Sequence, residues 1–119
     1  MTQSEKMRIV QELVPGKQVT LAHIIAHPDP LLYVKLGLVT AEEQLHDAIG
    51  ILTVTPAETA VIAADLAVKT SGAELGFVDR FSGTLIITGT VSQVESSLEA
   101  ICDYVRDRLG YTVCELTKT

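Results

Sequence analysis

Apolar positions in the C-terminal part of the chain predict one amphipathic helix. Its stripe is Val94, Leu98, Ile101, Val105 and Leu109, spaced four, three, four and four apart. This spacing places the five side chains on one face of a helix. Ser92-Gln93-Val94-Glu95 is a capping box at the start of the stripe, and Gly110 supplies the C-terminal stop.

A second, alanine-rich helix is predicted from Thr55-Pro56-Ala57-Glu58. Thr55 would be the N-cap, Pro56 the first helical residue, and Glu58 the acidic residue three positions after the cap. Apolar residues continue as far as Val68, and Gly72 ends the helix.

Four stretches are rich in β-branched residues and bounded by Gly or Pro, which is typical of strands. They are Ala48–Thr55, Ala73–Arg80, Thr84–Thr90 and Tyr111–Thr117. Phe81-Ser82-Gly83 joins the middle two as a hairpin turn, with a glycine available for positive φ. With the two helices, the order is strand–helix–strand twice. This order predicts an α+β, ferredoxin-like fold: an antiparallel sheet with two helices on one face.

The N-terminal residues do not fit that unit. Gln18–His27 is predicted as a further strand and Asp29–Leu36 as a short helix. The sheet thus has two candidates for its outer strand, one near each end of the domain. Arg8–Val14 is strand-like but short, and we expect it to pair with another chain because unpaired strand edges invite such pairing. The polar residues 38–47 predict a surface loop.

Composition limits the classes of function. The chain has 119 residues, with 9 Lys plus Arg, 15 Asp plus Glu and a net charge of −6, which fits one acidic domain. The acidity argues against binding nucleic acid or an anionic membrane through the overall field. No apolar run is long enough to span a membrane, and the N-terminus lacks a signal-peptide pattern. We therefore expect a cytoplasmic globular domain.

Low charge and high hydropathy indicate an oligomer. Charged residues make up 20% of the chain, below the roughly 25% of an average domain, and the mean hydropathy is +0.32. We expect part of the apolar surface to be buried between subunits. A monomer with a well-filled core is the alternative.

No set of residues points to an enzyme, a metal site or a cofactor. His23 and His27 are four apart in a predicted strand, about 13 Å along it, so one metal ion could not easily bind both. His46 is expected in a loop. Asp79 and Arg80 are adjacent strand residues, which point to opposite faces.

Two weaker signals also favour ordinary structural roles. Cys102 and Cys114 lack CxxC spacing and are expected to be buried thiols. Asp79–Thr84 could cradle an anion with backbone N–H groups, but a plain hairpin turn is the favoured interpretation.

Three separated stretches resemble one family. They are Val14–His23 (VPGKQVTLAH), Ala48–Pro56 (AIGILTVTP) and Gly76–Gly83 (GFVDRFSG). They are similar to the circularly permuted, single-domain shell proteins of bacterial microcompartments, of the propanediol-, ethanolamine- and choline-utilisation types. The similarity covers nearly the whole chain from Arg8 to Thr119. It implies that the strand and short helix of Gln18–Leu36, which come at the C-terminal end of the ordinary shell domain, come first in this chain.

The resemblance also gives the N-terminal strand a place. It implies a homo-hexamer in which one such strand per subunit enters a small parallel β-barrel, which removes the exposed edges. The chain then divides into an extension with the barrel strand (1–17) and the permuted shell domain (18–119). The barrel residues would be Arg8, Ile9, Val10, Gln11, Glu12, Leu13 and Val14.

The function implied by the resemblance is structural. Hexamers would join edge to edge, with other shell proteins, around enzymes whose aldehyde intermediate the shell confines. The turn residues that would line the central pore are Arg80, Phe81, Ser82 and Gly83. Phe81 packing within its own subunit is the alternative.

Lys69 matches the lysine at the tile edge of this family, although a lysine at a helix C-terminus is also favoured by the helix dipole. The 38–47 connection is longer than we expect for the family. A ferredoxin-like oligomer that binds a small metabolite and regulates another process is the second interpretation of the sequence.

Overall fold

The computed structural model describes residues 16–38 and 47–119, and these residues form one mixed sheet and three helices. The helices are α1 (Pro30–Leu36), α2 (Thr59–Thr70) and α3 (Val91–Leu109). The strands are β1 (Gln18–Ile25), β2 (Ala48–Thr55), β3 (Glu74–Asp79), β4 (Thr84–Gly89), β5 (Thr112–Val113) and β6 (Thr117–Lys118).

The sheet follows the order β3-β4-β2-β1-β5, and β6 also pairs with β1. Strands β1 to β4 pair antiparallel, whereas β5 and β6 run parallel to β1. The strand from the N-terminal part therefore lies inside the sheet, between β2 and the C-terminal segment. Both candidates for the outer strand are present, and β5 takes the outer position. The predicted α+β sheet with two main helices is confirmed.

The core lies between the sheet and the helices α2 and α3. Alternate residues of the inner strands point into it, as the two-residue period of a strand requires. They meet an alanine-rich face of α2 and the predicted apolar stripe of α3. Its buried residues include Ala22, Ile24, Leu52, Val54, Leu85, Ile87, Ala60, Ala63, Ala67, Val94, Leu98, Ile101 and Val105.

Helix α3 lies directly on the sheet at Gly50. A Cβ built on Gly50 would lie 2.6 Å from Cγ1 of Val94, 2.9 Å from Cγ1 of Ile87 and 3.3 Å from Cδ1 of Leu98. Real carbon atoms do not approach so closely, because van der Waals contact begins near 3.5 Å. The absence of a side chain at Gly50 therefore sets the distance between helix and sheet.

Both predicted helix starts are wrong in position. Thr90, not Ser92, is the N-cap of α3: its Oγ1 accepts from the Gln93 N–H at 3.1 Å, and Gln93 Oε1 accepts from the Thr90 N–H at 2.9 Å. Two residues near this helix start can cap, and the reciprocal pair with Gln93 is the one that forms. The predicted end at Gly110 is confirmed, since Gly110 is the left-handed C-cap.

Thr55 is the last residue of β2 and does not cap α2. Residues 56–58 form a turn instead, in which the Pro56 carbonyl accepts from the Thr59 N–H at 3.0 Å. Glu58 is the N-cap and makes no side-chain capping bond. The helix therefore begins three residues later than Pro56.

The C-terminal segment follows β1 in two short pieces rather than in one strand over Tyr111–Thr117. Between them the Cys114 N–H donates to the Val19 carbonyl at 3.2 Å, and at the end the Thr119 N–H donates to the Ile24 carbonyl at 2.8 Å. The His23 side chain of β1 also joins this strand to the C-terminal segment, because its ring nitrogens lie 2.6 and 2.9 Å from the hydroxyls of Thr117 and Thr119.

The short N-terminal helix forms as predicted: Asp29 Oδ1 accepts from the Leu31 N–H at 2.9 Å. Buried Tyr33 then holds both ends of the next connection. Its carbonyl accepts from the Leu38 N–H at 3.0 Å, and its hydroxyl donates to the Asp47 carbonyl at 2.5 Å. Burial, together with the Asp47 charge, raises the pKa of Tyr33 to about 12.

The predicted barrel strand over 8–14 and the loop interior over 39–46 lie outside the described residues.

We predict that Gly50→Ala destabilises the fold by about 1–3 kcal/mol, because the added methyl overpacks the contact with Val94 and Ile87. Thermal or denaturant unfolding at fixed protein concentration measures this. Val94→Ala removes the nearer methyl group, so the double variant should lose less stability than the sum of the two single variants. Strictly additive losses would contradict the proposed contact.

Candidate functional site

The candidate site is the β3–β4 turn, residues 79–83. Asp79 organises it: one carboxylate oxygen, Oδ1, accepts from the Phe81 N–H at 2.8 Å, and the Asp79 carbonyl accepts from the Gly83 N–H at 2.9 Å. The Phe81 N–H is the main cause that lowers the pKa of Asp79 below its ordinary value, because this bond stabilises the carboxylate. The turn is thus closed by its own hydrogen bonds.

Gly83 fixes this turn to β2. Its carbonyl accepts from the Val54 N–H at 2.9 Å. Its φ is +78°, and a Cβ at this position would overlap the carbonyl oxygen of Val54. Both facts require glycine here. Because Val54 belongs to the core, this backbone hydrogen bond fixes the position of the turn relative to the core.

Arg80 and Phe81 project from the turn. The Phe81 side chain is 81% exposed, so the structure does not agree with the alternative in which it packs inside its own subunit. Its one cationic neighbour among the described residues is Arg80, whose guanidinium carbon lies 4.9 Å from the ring centroid. This is a cation–π arrangement. Ser82 donates to the Thr84 hydroxyl at 3.0 Å and remains exposed.

An open groove lies between the turn and the start of α2. Val61, Val78, Asp79, Arg80 and Phe81 line it. Val61 and Val78 are 53% and 37% exposed, so this groove is a partly apolar surface next to an exposed aromatic ring. Sequence reasoning missed the groove, because Val61 lies in an alanine-rich helix and Val78 in an apolar strand. Only the tertiary arrangement shows that both side chains face outward beside the turn.

Lys69 is on the other end of α2, as predicted. Its Nζ lies 2.8 Å from Oδ2 of Asp65, one turn earlier, and both side chains are exposed. Lys69 lies in the last turn, where a cation also interacts favourably with the helix dipole. An exposed pair of this kind stabilises the chain little and leaves Lys69 able to contact another molecule.

The remaining candidate residues have structural surroundings. Cys102 is buried and Cys114 half-buried, and burial is the main cause that raises the pKa of the Cys102 thiol to about 11. His27 is exposed, whereas His23 bonds the C-terminal segment. Within residues 16–38 and 47–119, no group of three His, Cys, Asp or Glu side chains could hold a metal ion. In the same ranges, no helix has the length and apolar character that crossing a membrane requires.

Known proteins share both sequence and fold with this chain. The family model described as the BMC domain matches residues 48–117. The shell protein EutS of Escherichia coli (strain K12) is 52% identical over 115 residues, which cover 97% of this chain and 99% of EutS. The shell protein PduU of Salmonella typhimurium is 48% identical over 112 residues, covering 94% and 93%.

Solved structures extend the comparison. The flat hexamer of CutR has a TM-score of 0.82 at 44% identity and covers 89% of this chain and 94% of its own. A fused permuted hexameric shell protein from the RMM microcompartment has a TM-score of 0.67 at 18% identity, which shows a shared fold. That match covers 76% of this chain and 48% of the other protein.

The α+β sheet, its helical layer and the β3–β4 turn are thus those of a BMC domain. The chain belongs to the BMC-domain family of bacterial microcompartment shell proteins, and its function is structural within such a shell. The second interpretation of the sequence, an oligomeric regulator that binds a metabolite, has no support from these matches.

We predict that Asp79→Ala loosens the turn, because the Phe81 N–H loses its acceptor, whereas Asp79→Asn retains an acceptor oxygen. Amide hydrogen exchange at Phe81 should be at least tenfold faster in the alanine variant and nearly unchanged in the asparagine variant.

The pH dependence of the turn has a defined sign. Since the pKa of Asp79 is lowered in the fold, the contact is complete above the ordinary Asp pKa and is lost as pH falls through the lower, folded value. An NMR titration of the Asp79 carboxyl carbon should therefore have its midpoint below that of an aspartate in an unfolded peptide. A midpoint at or above it would contradict the arrangement.

Proposed function

We propose that six copies of this chain form a hexameric tile, and that tiles join edge to edge with other shell proteins around a group of enzymes. The enclosed enzymes would share an aldehyde intermediate that the shell confines. The observation that carries the proposal is the match of 89% of the chain to the CutR flat hexamer at a TM-score of 0.82. The role is structural, and the encapsulated enzymes carry out the chemistry.

We place the β3–β4 turn at the six-fold axis. Each subunit of a hexamer occupies a wedge that narrows toward the axis, so residues beside an axial turn must face the neighbouring copies. Val61 and Val78 lie beside this turn and are partly exposed, which supports burial between subunits. Phe81, 81% exposed in one chain, would then be covered by its equivalents.

We also retain the β-barrel above the axis as a proposal. Strand 8–14 would supply one strand per subunit, and closure would pair its backbone on both sides. The barrel and the six Phe81 side chains would together narrow the pore, so free passage of metabolites is not expected.

Cross-linking tests the axial placement. In a six-fold ring the distance between equivalent atoms of neighbours equals their distance from the axis. Phe81→Cys thiols near the axis should therefore be joined by a short bis-maleimide, giving a ladder of bands up to the hexamer on a denaturing gel. The background is Cys114→Ser. Cys102 stays unreactive because it is buried and its thiol pKa is raised to about 11.

Tyr104→Cys is the matched control, since Tyr104 is partly exposed on α3 and remote in sequence from the turn. It should give little ladder under the same conditions. Native mass spectrometry of the unmodified protein should show six chains. A monomer or dimer there would refute the hexamer, whereas a hexamer without the Phe81→Cys ladder would refute only the axial placement.

We propose that Lys69 lies at the edge where two tiles meet. Its exposed position supports this, and its ammonium group can leave Asp65 at little cost to bond backbone carbonyls of an adjacent hexamer. Lys69→Ala should leave hexamers intact and reduce the area of sheets seen by electron microscopy.

Lys118→Ala is the control for this experiment. Lys118 is also exposed and paired, with 3.2 Å between its Nζ and Oε2 of Glu95, so its removal changes the net charge equally. Sheets should persist in this variant. Equal sheets in the Lys69→Ala and Lys118→Ala variants would exclude the edge role.

A further inference from the structure

Arg80 is the cationic group of the turn that the fold itself does not use. No ion pair of the described residues includes Arg80. The adjacent Asp79 carboxylate is directed to the turn backbone, where it accepts from the Phe81 N–H. The guanidinium instead lies over the Phe81 ring at 4.9 Å. The Asp79 carboxylate is therefore hydrogen-bonded within the turn, whereas the Arg80 guanidinium projects from it.

This geometry leaves the hydrogen-bonding edge of Arg80 available. The N–H groups of a guanidinium lie in its plane, and those that are not directed at the ring can bind an oxyanion through two parallel hydrogen bonds. The ring also restricts the side chain, which lowers the entropy cost of binding.

Two backbone N–H groups of the turn are already used inside it. The N–H groups of Phe81 and Gly83 already donate to Asp79, and the Ser82 hydroxyl donates to Thr84. The cradle of backbone donors considered from the sequence is thus occupied at these positions. The Arg80 side chain is therefore the charged donor that this turn offers to an anion.

We infer that, in the hexamer, the six Arg80 guanidinium groups form one binding site on the axis for a small, multiply charged oxyanion such as phosphate. The inference rests on the proposed hexamer and its axial turn. Like charges within a Debye length of about 8 Å repel each other, and an anion on the axis relieves this repulsion. The chain as a whole is acidic, with a net charge of −6, so the attraction is local to the turn.

Inorganic phosphate is the probe, titrated by calorimetry or ³¹P NMR at low salt against samples shown by sedimentation to be hexameric. We expect one phosphate per six chains and weaker binding as the salt concentration rises. Arg80→Gln should lower the affinity at least tenfold. Phe81→Leu, which preserves charge but removes the ring under the guanidinium, should lower it several-fold.

Arg106→Gln is the control with an equal change in charge. Arg106 is exposed on α3 and paired with Asp103, with 3.2 Å between Nη1 and Oδ1, so its removal should change the affinity less than twofold. Hexamers in which Arg80→Gln binds phosphate as the unmodified protein does would overturn the inference and leave the proposed function intact. One phosphate per chain would also overturn it. Loss of the hexamer in the unmodified protein would instead refute the proposed function.

Discussion

The close approach of α3 to β2 at Gly50 is the contact on which the rest of the fold depends. With Val94, Ile87 and Leu98 all at or inside contact distance of the missing side chain, the sheet and the helical layer meet without a gap. Helix α2 meets the same sheet through alanines. Such close layers have little room for large rings, which accounts for a chain with only 4% aromatic residues and 47% hydrophobic ones.

Strand β2 links the contact at Gly50 to the candidate site. Gly50 lies near its middle, and Val54, near its end, bonds Gly83 through the backbone. The β3–β4 turn is therefore positioned by a strand that contributes Ala48, Leu52 and Val54 to the core. The hydrogen bonds of Asp79 order the backbone of the turn, from which the exposed side chains of Arg80 and Phe81 project.

The features that the sequence predicts correctly depend on local patterns. The bounds of β2 and the stop at Gly110 follow from β-branched residues and from a left-handed glycine. The predicted start of α3 is wrong because Ser92 offers the same hydroxyl as Thr90, so a capping pattern does not distinguish them. The predicted start of α2 is wrong because Thr55 belongs to β2, and the N-cap is Glu58, which makes no side-chain capping bond. The split C-terminal strand and the groove beside Val78 require contacts between distant segments, which no local pattern contains. The family resemblance, rather than a local pattern, indicates that the turn lines a pore, and only the structure shows the outward position of Phe81.

The order of strands determines where the domain can associate. The C-terminal segment pairs in parallel with β1 and covers the outer edge of that strand. Among the described residues, β3 is the longest strand at an edge of the sheet, and it carries exposed Leu75, Phe77 and Val78. Its pairing with β4 is irregular between Leu75 and Phe77, and such irregularities hinder the addition of another strand. Association at this edge is therefore favoured through its side chains rather than through an added strand. The same edge strand leads into the β3–β4 turn.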